Sequence, residues 1–353
     1  MRAQFWQGKT VFLTGHTGFK GGWLSLWLQG LGAEVHGYAL APSTNPSLFE
    51  AARVGEGLAG HRIGNLLDGE LLKRSLLAAK PEIVFHLAAQ PLVRYAYDQP
   101  IETYATNVLG TAQLLEAVRA SPHVRAVVSV TTDKCYDNKE WVWGYRENDA
   151  LGGRDPYSSS KACAELVTAA YRDSFLAPAG VAVATARAGN VVGGGDWSAD
   201  RLVPDFFRAL DAGQRLQIRY PGATRPWQHV LEPLAGYLAL AEKLVEEPGV
   251  AAQAWNFGPE EEGSKTVRWI LDYLSGRIGG VSWSAVEAPD RHEAGLLKLD
   301  ISKAREHLGW KPRWDLATAL NHTVAWHRAW RNGEDMRRIS EEQIEAYQQS
   351  MEP

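Results

Sequence analysis

The chain has few cysteines, no excess of basic charge and no long apolar run. Only two of its 353 residues are cysteines, Cys135 and Cys163, and neither lies in a CxxC or Cys/His cluster. We therefore expect free thiols, with neither a disulfide framework nor a metal site. The formal net charge of −4 offers no basic surface for nucleic acid.

Membrane and export signals are also missing from the sequence. No segment approaches the roughly 18 to 20 uncharged apolar residues that span a bilayer, and the N-terminal segment lacks the apolar region of a signal peptide. The sequence thus predicts a cytoplasmic protein without a membrane partner. Its 45% hydrophobic and 22% charged residues are typical of a globular protein with a sizeable core.

Short β-branched runs alternate with helical patterns through the first half of the chain. The runs span residues 9–14, 33–39, 82–87 and 124–130. After the first run, Trp23, Trp27 and Leu31 recur at helical spacing. This alternation is typical of stacked βαβ units, so we predict an α/β fold with a Rossmann-type doubly wound parallel sheet.

A shift in composition near Arg187 predicts a second, smaller lobe. From Trp197 onward the chain is richer in tryptophan, proline and arginine. We therefore expect a Rossmann domain at residues 1–186 and a mainly substrate-binding C-terminal lobe at residues 187–353. The apolar run 254–257 is expected to return to the sheet, within a segment spanning about 226–258, which would make the lobe discontinuous.

Glycines at positions 15, 18 and 21 follow the first predicted strand and open a helix. In that context a GxxGxxG loop lets the backbone approach a pyrophosphate, which the helix N-terminus attracts. A merely structural glycine turn is the alternative. The residues predicted to bind the dinucleotide are Gly15, His16, Thr17, Gly18, Phe19, Lys20, Gly21, Asn65, Leu66, Ala88 and Ala89. Of these, Asn65 and Leu66 are expected at the adenine.

The choice of dinucleotide depends on the end of the second predicted strand. The acidic residue that usually holds the adenosine ribose is replaced there by Tyr38 and the apolar residues after it. His16 and Lys20 are expected to bring positive charge to the phosphates, but no arginine follows Tyr38 to bind a 2′-phosphate, so NAD is favoured over NADPH. Ala88 and Ala89 leave room for ribose and nicotinamide, with plain core packing as the alternative.

Tyr157 and Lys161 stand four residues apart, on one face of a helix that Asp155 can cap and Pro156 can begin. A nearby cation lowers the pKa of a tyrosine, so that Tyr157 can take a hydroxyl proton while hydride leaves the adjacent carbon. An exposed helical pair without catalytic function is the alternative.

Further polar residues support the catalytic interpretation. Thr132 follows the predicted strand 124–130, at the edge where strand ends line the ligand crevice. Asn107, Thr132, Tyr157 and Lys161 together resemble, in order and spacing, the four-residue set of the short-chain dehydrogenase/reductase family. The resemblance implies a Rossmann-fold enzyme that uses NAD.

Asp133 and Lys134 distinguish two activities within that family. A 4-epimerase needs only the tyrosine and threonine, whereas a 4,6-dehydratase also needs an acid and a base to expel water across C5 and C6. With this Asp-Lys pair, segments 15–24, 88–94, 188–197 and 290–293 resemble nucleotide-sugar 4,6-dehydratases of the extended short-chain family. The resemblance covers most of the chain and implies a lyase acting on CDP-glucose, in a route to deoxysugars of surface polysaccharide.

Roles for the catalytic residues come from the same resemblance. Tyr157 would deprotonate the 4-hydroxyl, with Thr132 bonded to the same oxygen and Lys161 holding the ribose. Asp133 would protonate the leaving 6-hydroxyl while Lys134 removes the C5 proton. Return of the hydride to C6 would then give CDP-4-keto-6-deoxyglucose. A lysine base must be neutral, and an ion pair that orients Asp133 is the alternative role for Lys134.

The nucleotide sugar is expected to lie against residues on both sides of the lobe boundary. A guanidinium fork matches phosphate oxygens, so Arg201 and Arg225 are expected at the diphosphate, with solvated surface charge as the alternative. The predicted substrate-binding residues are Gln90, Arg94, Asn190, Asp196, Trp197, Arg201, Leu202, Arg225, His229, Arg291 and His292.

Two other functions stay open at this point. A 4-epimerase or reductase on the same fold would not need Asp133 and Lys134, and a dinucleotide-binding regulatory module would not need Tyr157 and Lys161. As in members of the resembled family, helices near residues 104–119 and 157–175 are expected to form the four-helix bundle of a homodimer. A homotetramer is the alternative.

Overall fold

A computed structural model describes residues 2–279, 281–286 and 295–351. Its strands are β1 (Thr10–Thr14), β2 (Glu34–Ala39), β3 (Gly60–Ile63), β4 (Ile83–His86), β5 (Ala126–Val130), β6 (Ala182–Ala188), β7 (Val191–Val192), β8 (Leu216–Ile218), β9 (Thr224–Pro226), β10 (Gln228–His229), β11 (Ala254–Phe257), β12 (Ser264–Thr266) and β13 (Trp283–Ala285). Its α-helices are α1 (Ala3–Trp6), α2 (Phe19–Gly30), α3 (Leu48–Ala51), α4 (Gly69–Ala79), α5 (Val93–Asp98), α6 (Pro100–Tyr104), α7 (Gly110–Arg119), α8 (Pro156–Tyr171), α9 (Leu202–Ala212), α10 (Leu231–Glu246), α11 (Pro248–Ala251), α12 (Val267–Ile278), α13 (Ser302–Leu308), α14 (Leu316–Arg331) and α15 (Met336–Gln349).

The main sheet has seven strands in the order β11-β6-β5-β4-β1-β2-β3. Every neighbouring pair in it is parallel. The predicted doubly wound fold is confirmed, and the run 254–257 does return to the sheet as β11. Strand order reverses between β1 and β4, and in sheets of this kind the ligand crevice opens at the carboxyl ends beside that point.

Helices cover both faces of the sheet, which is why its central strands are apolar throughout. All five residues of β5 and all seven of β6 are buried. Trp23 on α2 and Leu234 on α10 belong to the core on one face. Leu76 on α4 and Leu114 on α7 belong to the core on the other. Cys135 is buried and Cys163 is partly buried, and both thiols are free.

The second lobe has its own small core, in which Phe206 on α9, Leu216 on β8 and Ile270 on α12 meet. Three two-stranded sheets, β7 with β10, β8 with β13 and β9 with β12, complete it. Helix α15 instead packs on α2, where the rings of Trp27 and Tyr347 lie 5.6 Å apart. The C-terminal helix therefore joins the Rossmann core, although the sequence placed it with the second lobe. The division near residue 187 stays a prediction.

No helix within the described parts of the chain combines the length and the hydropathy that crossing a bilayer requires.

Candidate active site

The glycine loop forms a close-packed turn between β1 and α2. Gly15 has φ +82°, and a Cβ on it would lie 2.7 Å from the backbone nitrogen of Ala88. A Cβ on Gly21 would lie 2.1 Å from the carbonyl oxygen of Gly15. Gly18 precedes α2 and offers no side-chain cap to its N-terminus. Only glycine fits at 15 and 21, and the uncapped helix end suits the pyrophosphate of a dinucleotide.

His16 does not carry the charge that the sequence suggested. Its ring is buried, and its Nε2 lies 2.7 Å from Nδ1 of His61. Burial and, to a smaller extent, the neighbouring His61 together lower the pKa of His16 to about 4. The expectation of positive charge at this position is therefore wrong, because a neutral imidazole packed against a second histidine occupies it at neutral pH.

Thr17 and Phe19 anchor the loop to its surroundings. The Thr17 hydroxyl donates to the carbonyl oxygen of Leu40, 2.8 Å away, just beyond β2. The ring of Phe19 contacts the position where Gly193 would carry a side chain. These contacts connect the loop to the second strand and to the glycine run that follows β7.

The residues predicted at the adenosine end follow β3 and β4. Asn65 lies two residues beyond β3, and its carbonyl oxygen accepts the Tyr38 hydroxyl at 2.8 Å. Leu66 is buried. The N–H of Ala88 donates to Thr14 Oγ1, 3.2 Å away, and both Ala88 and Ala89 stay partly exposed. The carboxyl end of β4 is thus open, as a bound ribose requires.

Lys20, in the first turn of α2, extends towards the catalytic residues. Its Nζ lies 6.0 Å from the ring centre of Tyr237. The pKa of Lys20 is lowered to about 7, mainly by burial. The charges of Arg201, Lys161 and Lys134 contribute to this lowering, and the charge of Asp133 opposes it. This lysine therefore belongs to the same electrostatic environment as the candidate acid and base.

Thr132, Asp133 and Lys134 form a turn at the carboxyl end of β5. Thr132 Oγ1 donates to Asp133 Oδ1 at 3.0 Å, and Lys134 Nζ lies 3.4 Å from the same oxygen. Lys134 Nζ also donates to Asn190 Oδ1 at 3.4 Å. The carboxyl and ammonium groups are therefore adjacent, as an acid and a base acting on neighbouring carbons require.

Tyr157 and Lys161 lie on α8, which begins as the sequence predicted. Asp155 caps the helix by accepting the N–H of Ser158, and Pro156 is its first residue. Both Tyr157 and Lys161 are buried, which contradicts the alternative of an exposed pair. Lys161 Nζ donates to the carbonyl oxygen of Val130 at 3.2 Å, and burial lowers the pKa of Lys161 to about 8.

The ionisation of Tyr157 differs from the sequence expectation. Burial raises the pKa of Tyr157 to about 12, opposed by the hydrogen bond with Thr132 and by the charge of Arg201. The prediction that a nearby cation lowers the pKa of Tyr157 overall is therefore wrong, because the effect of burial outweighs that of the favourable charges. Thr132 lowers the pKa of Tyr157, which is consistent with the predicted placement of the two hydroxyls near one another.

Asn107 connects the loop after β4 to α8. Its Oδ1 accepts the N–H of Gln90 at 2.8 Å, while its Nδ2 donates to the carbonyl oxygen of Gln90 and to Ser160 Oγ. The Gln90 amide bonds both Thr103 and the backbone of Leu92. Gln90 therefore stabilises a turn, and the structure does not direct it to the substrate.

Several predicted substrate residues lie between β7 and the start of α9 or pair with residues of that segment. Arg201 Nη1 pairs with Asp196 at 2.8 Å, and its effect on Tyr157 places its charge near that phenol. Trp197 packs against the rings of Trp326 and Trp330. Leu202 begins α9. Arg94 pairs with Asp200 at 3.0 Å.

Comparison with known proteins assigns the chain to a family. The family model for GDP-mannose 4,6 dehydratase matches residues 12–323. The chain belongs to this dehydratase family. It is 55% identical over 349 residues to the CDP-glucose 4,6-dehydratase of Salmonella typhimurium, covering 97% of each chain. It is 31% identical over 300 residues to the dTDP-glucose 4,6-dehydratase of Streptomyces griseus, covering 83% of this chain and 85% of the relative.

Solved structures support the fold. The dTDP-glucose 4,6-dehydratase of Bacillus anthracis in complex with NAD superposes with a TM-score of 0.77 at 22% identity, covering 94% of this chain and 100% of that one. The UDP-glucose 4-epimerase of Thermotoga maritima with UDP-glucose gives 0.77 at 24% identity, covering 91% and 99%. At these identities the likeness establishes the Rossmann-type fold, which dehydratases and epimerases share.

Not every substrate prediction for this dehydratase family member agrees with the structure. His229 has no exposed surface, and its ring packs 4.9 Å from that of Trp314. Because no ligand atom can reach it, we do not retain it as a substrate contact. Arg225 Nη1 donates to the carbonyl oxygens of Thr224 and Gly295. Arg291 and His292 lie outside the described residues.

The structure also adds residues that the sequence analysis missed. Arg219 lies 3.7 Å from Oδ1 of Asp200, the same oxygen that pairs with Arg94. Tyr237, on α10, lies beside Lys20. Neither residue belongs to a recognisable motif, and Tyr237 follows the apolar pattern of a core helix, so no sequence signal pointed to them. In the described part of the chain, no cluster of three or more histidine, cysteine or acidic side chains could hold a metal ion.

Proposed function

We propose that this chain is an NAD-dependent CDP-glucose 4,6-dehydratase, a hydro-lyase that forms CDP-4-keto-6-deoxy-D-glucose and water. The single observation that carries the proposal is the 55% identity, over 97% of both chains, to a CDP-glucose 4,6-dehydratase. The adjacency of Asp133 and Lys134, 3.4 Å apart beside Thr132, supports elimination over simple epimerisation. An epimerase has no use for this second pair of proton-transferring groups.

The cofactor cradle supports NAD. Side chains at Gly15 and Gly21 would collide with the protein's own backbone, so these glycines allow the tight turn and the close packing of α2 that are typical of a dinucleotide-binding loop. Bound NAD would accept hydride from C4 of the sugar and return it to C6. With Lys161 at the ribose and Lys20 near the phosphates, the chain's own residues would provide the cationic contacts.

In the first half of the reaction, Tyr157 would remove the proton from the 4-hydroxyl. Its raised pKa means that the phenol must first lose its proton, which the hydrogen bond with Thr132 and the charge of Arg201 favour. Thr132 hydrogen-bonds the same oxygen and orients it. The resulting 4-ketone makes the C5 proton acidic.

In the second half, Asp133 would protonate the departing 6-hydroxyl, which leaves as water. Lys134 would take the C5 proton and return a proton to C5 when the hydride adds to C6. Its position between Asp133 and Asn190 places it beside the acid. Asn107 and Gln90 position α8 and the loop after β4. Arg201 would meet the diphosphate, where its bond to Asp196 fixes the guanidinium plane.

Mass spectrometry of the product tests this function. Purified protein with NAD is incubated with CDP-glucose and, separately, with the UDP, GDP and dTDP sugars. We expect loss of one water from CDP-glucose and a slower reaction with the other nucleotides. A product of unchanged mass that differs from glucose at C4 would instead identify a 4-epimerase.

We also propose a homodimer formed through α6, α7 and α8. Four large apolar side chains on or next to these helices are exposed: Ile101, Leu109, Leu166 and Phe175. An apolar surface of this kind typically marks an interface between protein chains. A tetramer built from two such dimers, and a cytoplasmic location, stay predictions from the sequence.

A further inference from the structure

Tyr237 is a buried polar residue that neither the fold nor the proposed mechanism explains. It lies in the middle of α10, is 0% exposed, and packs its ring edge-on against Phe257 at 5.6 Å. Among the described residues its hydroxyl has no hydrogen-bond partner. Burying an unpaired hydroxyl is unfavourable, and phenylalanine would fill the same space without that penalty. The hydroxyl therefore calls for a functional reason.

The surroundings of Tyr237 place it at the catalytic residues. Helix α10 packs on β5, whose carboxyl end leads into Asp133, and it also contacts α2. Lys20 on α2 lies 6.0 Å from the phenol ring. Burial raises the pKa of Tyr237 above its ordinary value, and the charges of Tyr157 and Asp133 raise it further. Tyr237 therefore stays a phenol at neutral pH and acts as a hydrogen-bond donor.

Asp133 has a matching unused oxygen. Its side chain is 1% exposed, and its Oδ1 is bonded by both Thr132 and Lys134. Within the described chain, Oδ2 has no partner. A Cβ on Gly189 would lie 2.9 Å from Oδ2, so a side chain at that position would crowd this buried oxygen. One carboxyl oxygen is therefore held by two hydrogen bonds, and the other is buried without a donor.

We propose that Tyr237 is a positioning residue for Asp133, donating its hydroxyl to Oδ2 as the substrate closes the site. The assignment rests on the proposed dehydratase function. When Asp133 passes its proton to the leaving 6-hydroxyl, water departs and the carboxyl becomes a carboxylate. The phenol keeps its own proton and stabilises that new charge by a hydrogen bond. Catalytic hydrogen bonds are often long in a ligand-free protein and shorten in the substrate complex.

The substitution Tyr237→Phe removes only the hydroxyl and tests the assignment. We expect kcat for CDP-glucose to fall about tenfold or more, because a hydrogen bond to a charged group is lost in the transition state. KM should change by less than about twofold. Oxidation at C4 does not use Asp133 and should keep its rate, whereas elimination and the later return of hydride to C6 should be slow. In a single turnover, the absorbance of the reduced nicotinamide should therefore rise and persist. The melting temperature should not fall, because an unpaired buried hydroxyl is removed.

Tyr347→Phe is the matched control, since it removes a buried tyrosine hydroxyl that donates to Glu232 in α10, away from the catalytic residues. It should lower the melting temperature and leave the single-turnover absorbance trace unchanged. The assignment would be overturned if Tyr237→Phe left kcat unaltered and no reduced nicotinamide accumulated. It would also be overturned if the variant had a lowered melting temperature and slowed both half-reactions equally. Absence of keto-sugar from the unmodified protein would overturn the dehydratase function itself, and the assignment with it.

Discussion

Three lysines lie in or beside the active site, and burial lowers the pKa of two of them. Burial lowers the pKa of Lys20 to about 7 and that of Lys161 to about 8. Lys134 is partly exposed, between Asp133 and Asn190. At neutral pH Lys20 is protonated in roughly half of the molecules, so a small change in pH alters its charge. The same side-chain chemistry thus serves different roles at three positions.

Lys20 should make cofactor affinity depend on pH. The protonated form of Lys20 attracts the pyrophosphate. This form predominates below about pH 7 and is lost as pH rises through that value. NAD affinity, measured by calorimetric titration, should therefore fall above neutral pH. Lys20→Met should weaken binding about tenfold at low pH and flatten the profile, whereas Lys20→Arg should keep the affinity and also flatten it. An unchanged slope in Lys20→Met would contradict the role.

Lys134 is tested by following exchange of the C5 proton with solvent. If it is the C5 base, Lys134→Met should slow this exchange by about a hundredfold, the usual contribution of a general base. Lys139→Met is the control, because Lys139 is an exposed lysine on the same loop that pairs with Asp137. Exchange that is undiminished while turnover falls would assign Lys134 to the orientation of Asp133 instead.

Among the elements, α10 connects the active site to the C-terminal segment. Glu232, in its first turn, is fully buried. Its carboxyl accepts the N–H groups of Arg313 and Trp314 and the hydroxyl of Tyr347. Burial raises the pKa of Glu232 to about 7, although these hydrogen bonds lower it. One carboxyl thus holds the chain before α14 and the end of α15 against the helix that carries Tyr237.

Substitutions at Glu232 should separate hydrogen bonding from charge. Glu232→Ala leaves two buried N–H groups unpaired and should lower the free energy of unfolding by about 3 kcal/mol. Glu232→Gln keeps an acceptor and should lower it much less. Because burial raises the pKa of Glu232 from 4.5 to about 7, the folded protein binds the extra proton between those values. Wild-type stability should therefore fall as pH rises from 4.5 to about 7 and level off above it, and Glu232→Gln should remove this dependence.

Denaturant unfolding from below pH 4.5 to above pH 7 measures both effects. Glu246→Ala, on the exposed end of the same helix, is the control and should change stability by less than about 0.5 kcal/mol. A stability loss in Glu246→Ala as large as that in Glu232→Ala would contradict the argument.

For the whole molecule, the apolar surface on α6 to α8 adjoins the catalytic helix. Helix α8 carries Tyr157 and Lys161 on its buried side and the exposed Leu166 on its outer side. Helices α6 and α7 both pack against α8. Association through this surface would therefore support the helix that holds the catalytic pair.

The double substitution Leu109→Glu and Leu166→Glu tests the dimer. These side chains are 52% and 59% exposed, so charges there should not disturb the monomer core. Burying two carboxylates in an interface is strongly unfavourable, and we expect a monomer by sedimentation. Val250→Glu, at an exposed apolar residue on α11, should stay dimeric. A dimer that survives the double substitution would place the interface elsewhere.

The sequence by itself determined the features that depend on local spacing. The parallel sheet, the glycine turn before α2, and the Tyr157–Lys161 pair behind its Asp155 cap follow from periodicity and neighbouring residues. Asp133 and Lys134 could be predicted at the crevice because they follow a strand. The family resemblance carried these local features to a reaction.

Only the tertiary structure decided which of these side chains are charged, paired or accessible. The neutral state of His16 depends on its burial and on His61, 45 residues away, and the ring of Trp314 packs against the buried His229. Glu232 meets Tyr347 across 115 residues. Tyr237 looks like one more apolar-helix residue until α2 and β5 bring Lys20 and Asp133 near it. Burial and long-range contacts set these properties, and neither can be read from the spacing of neighbouring residues.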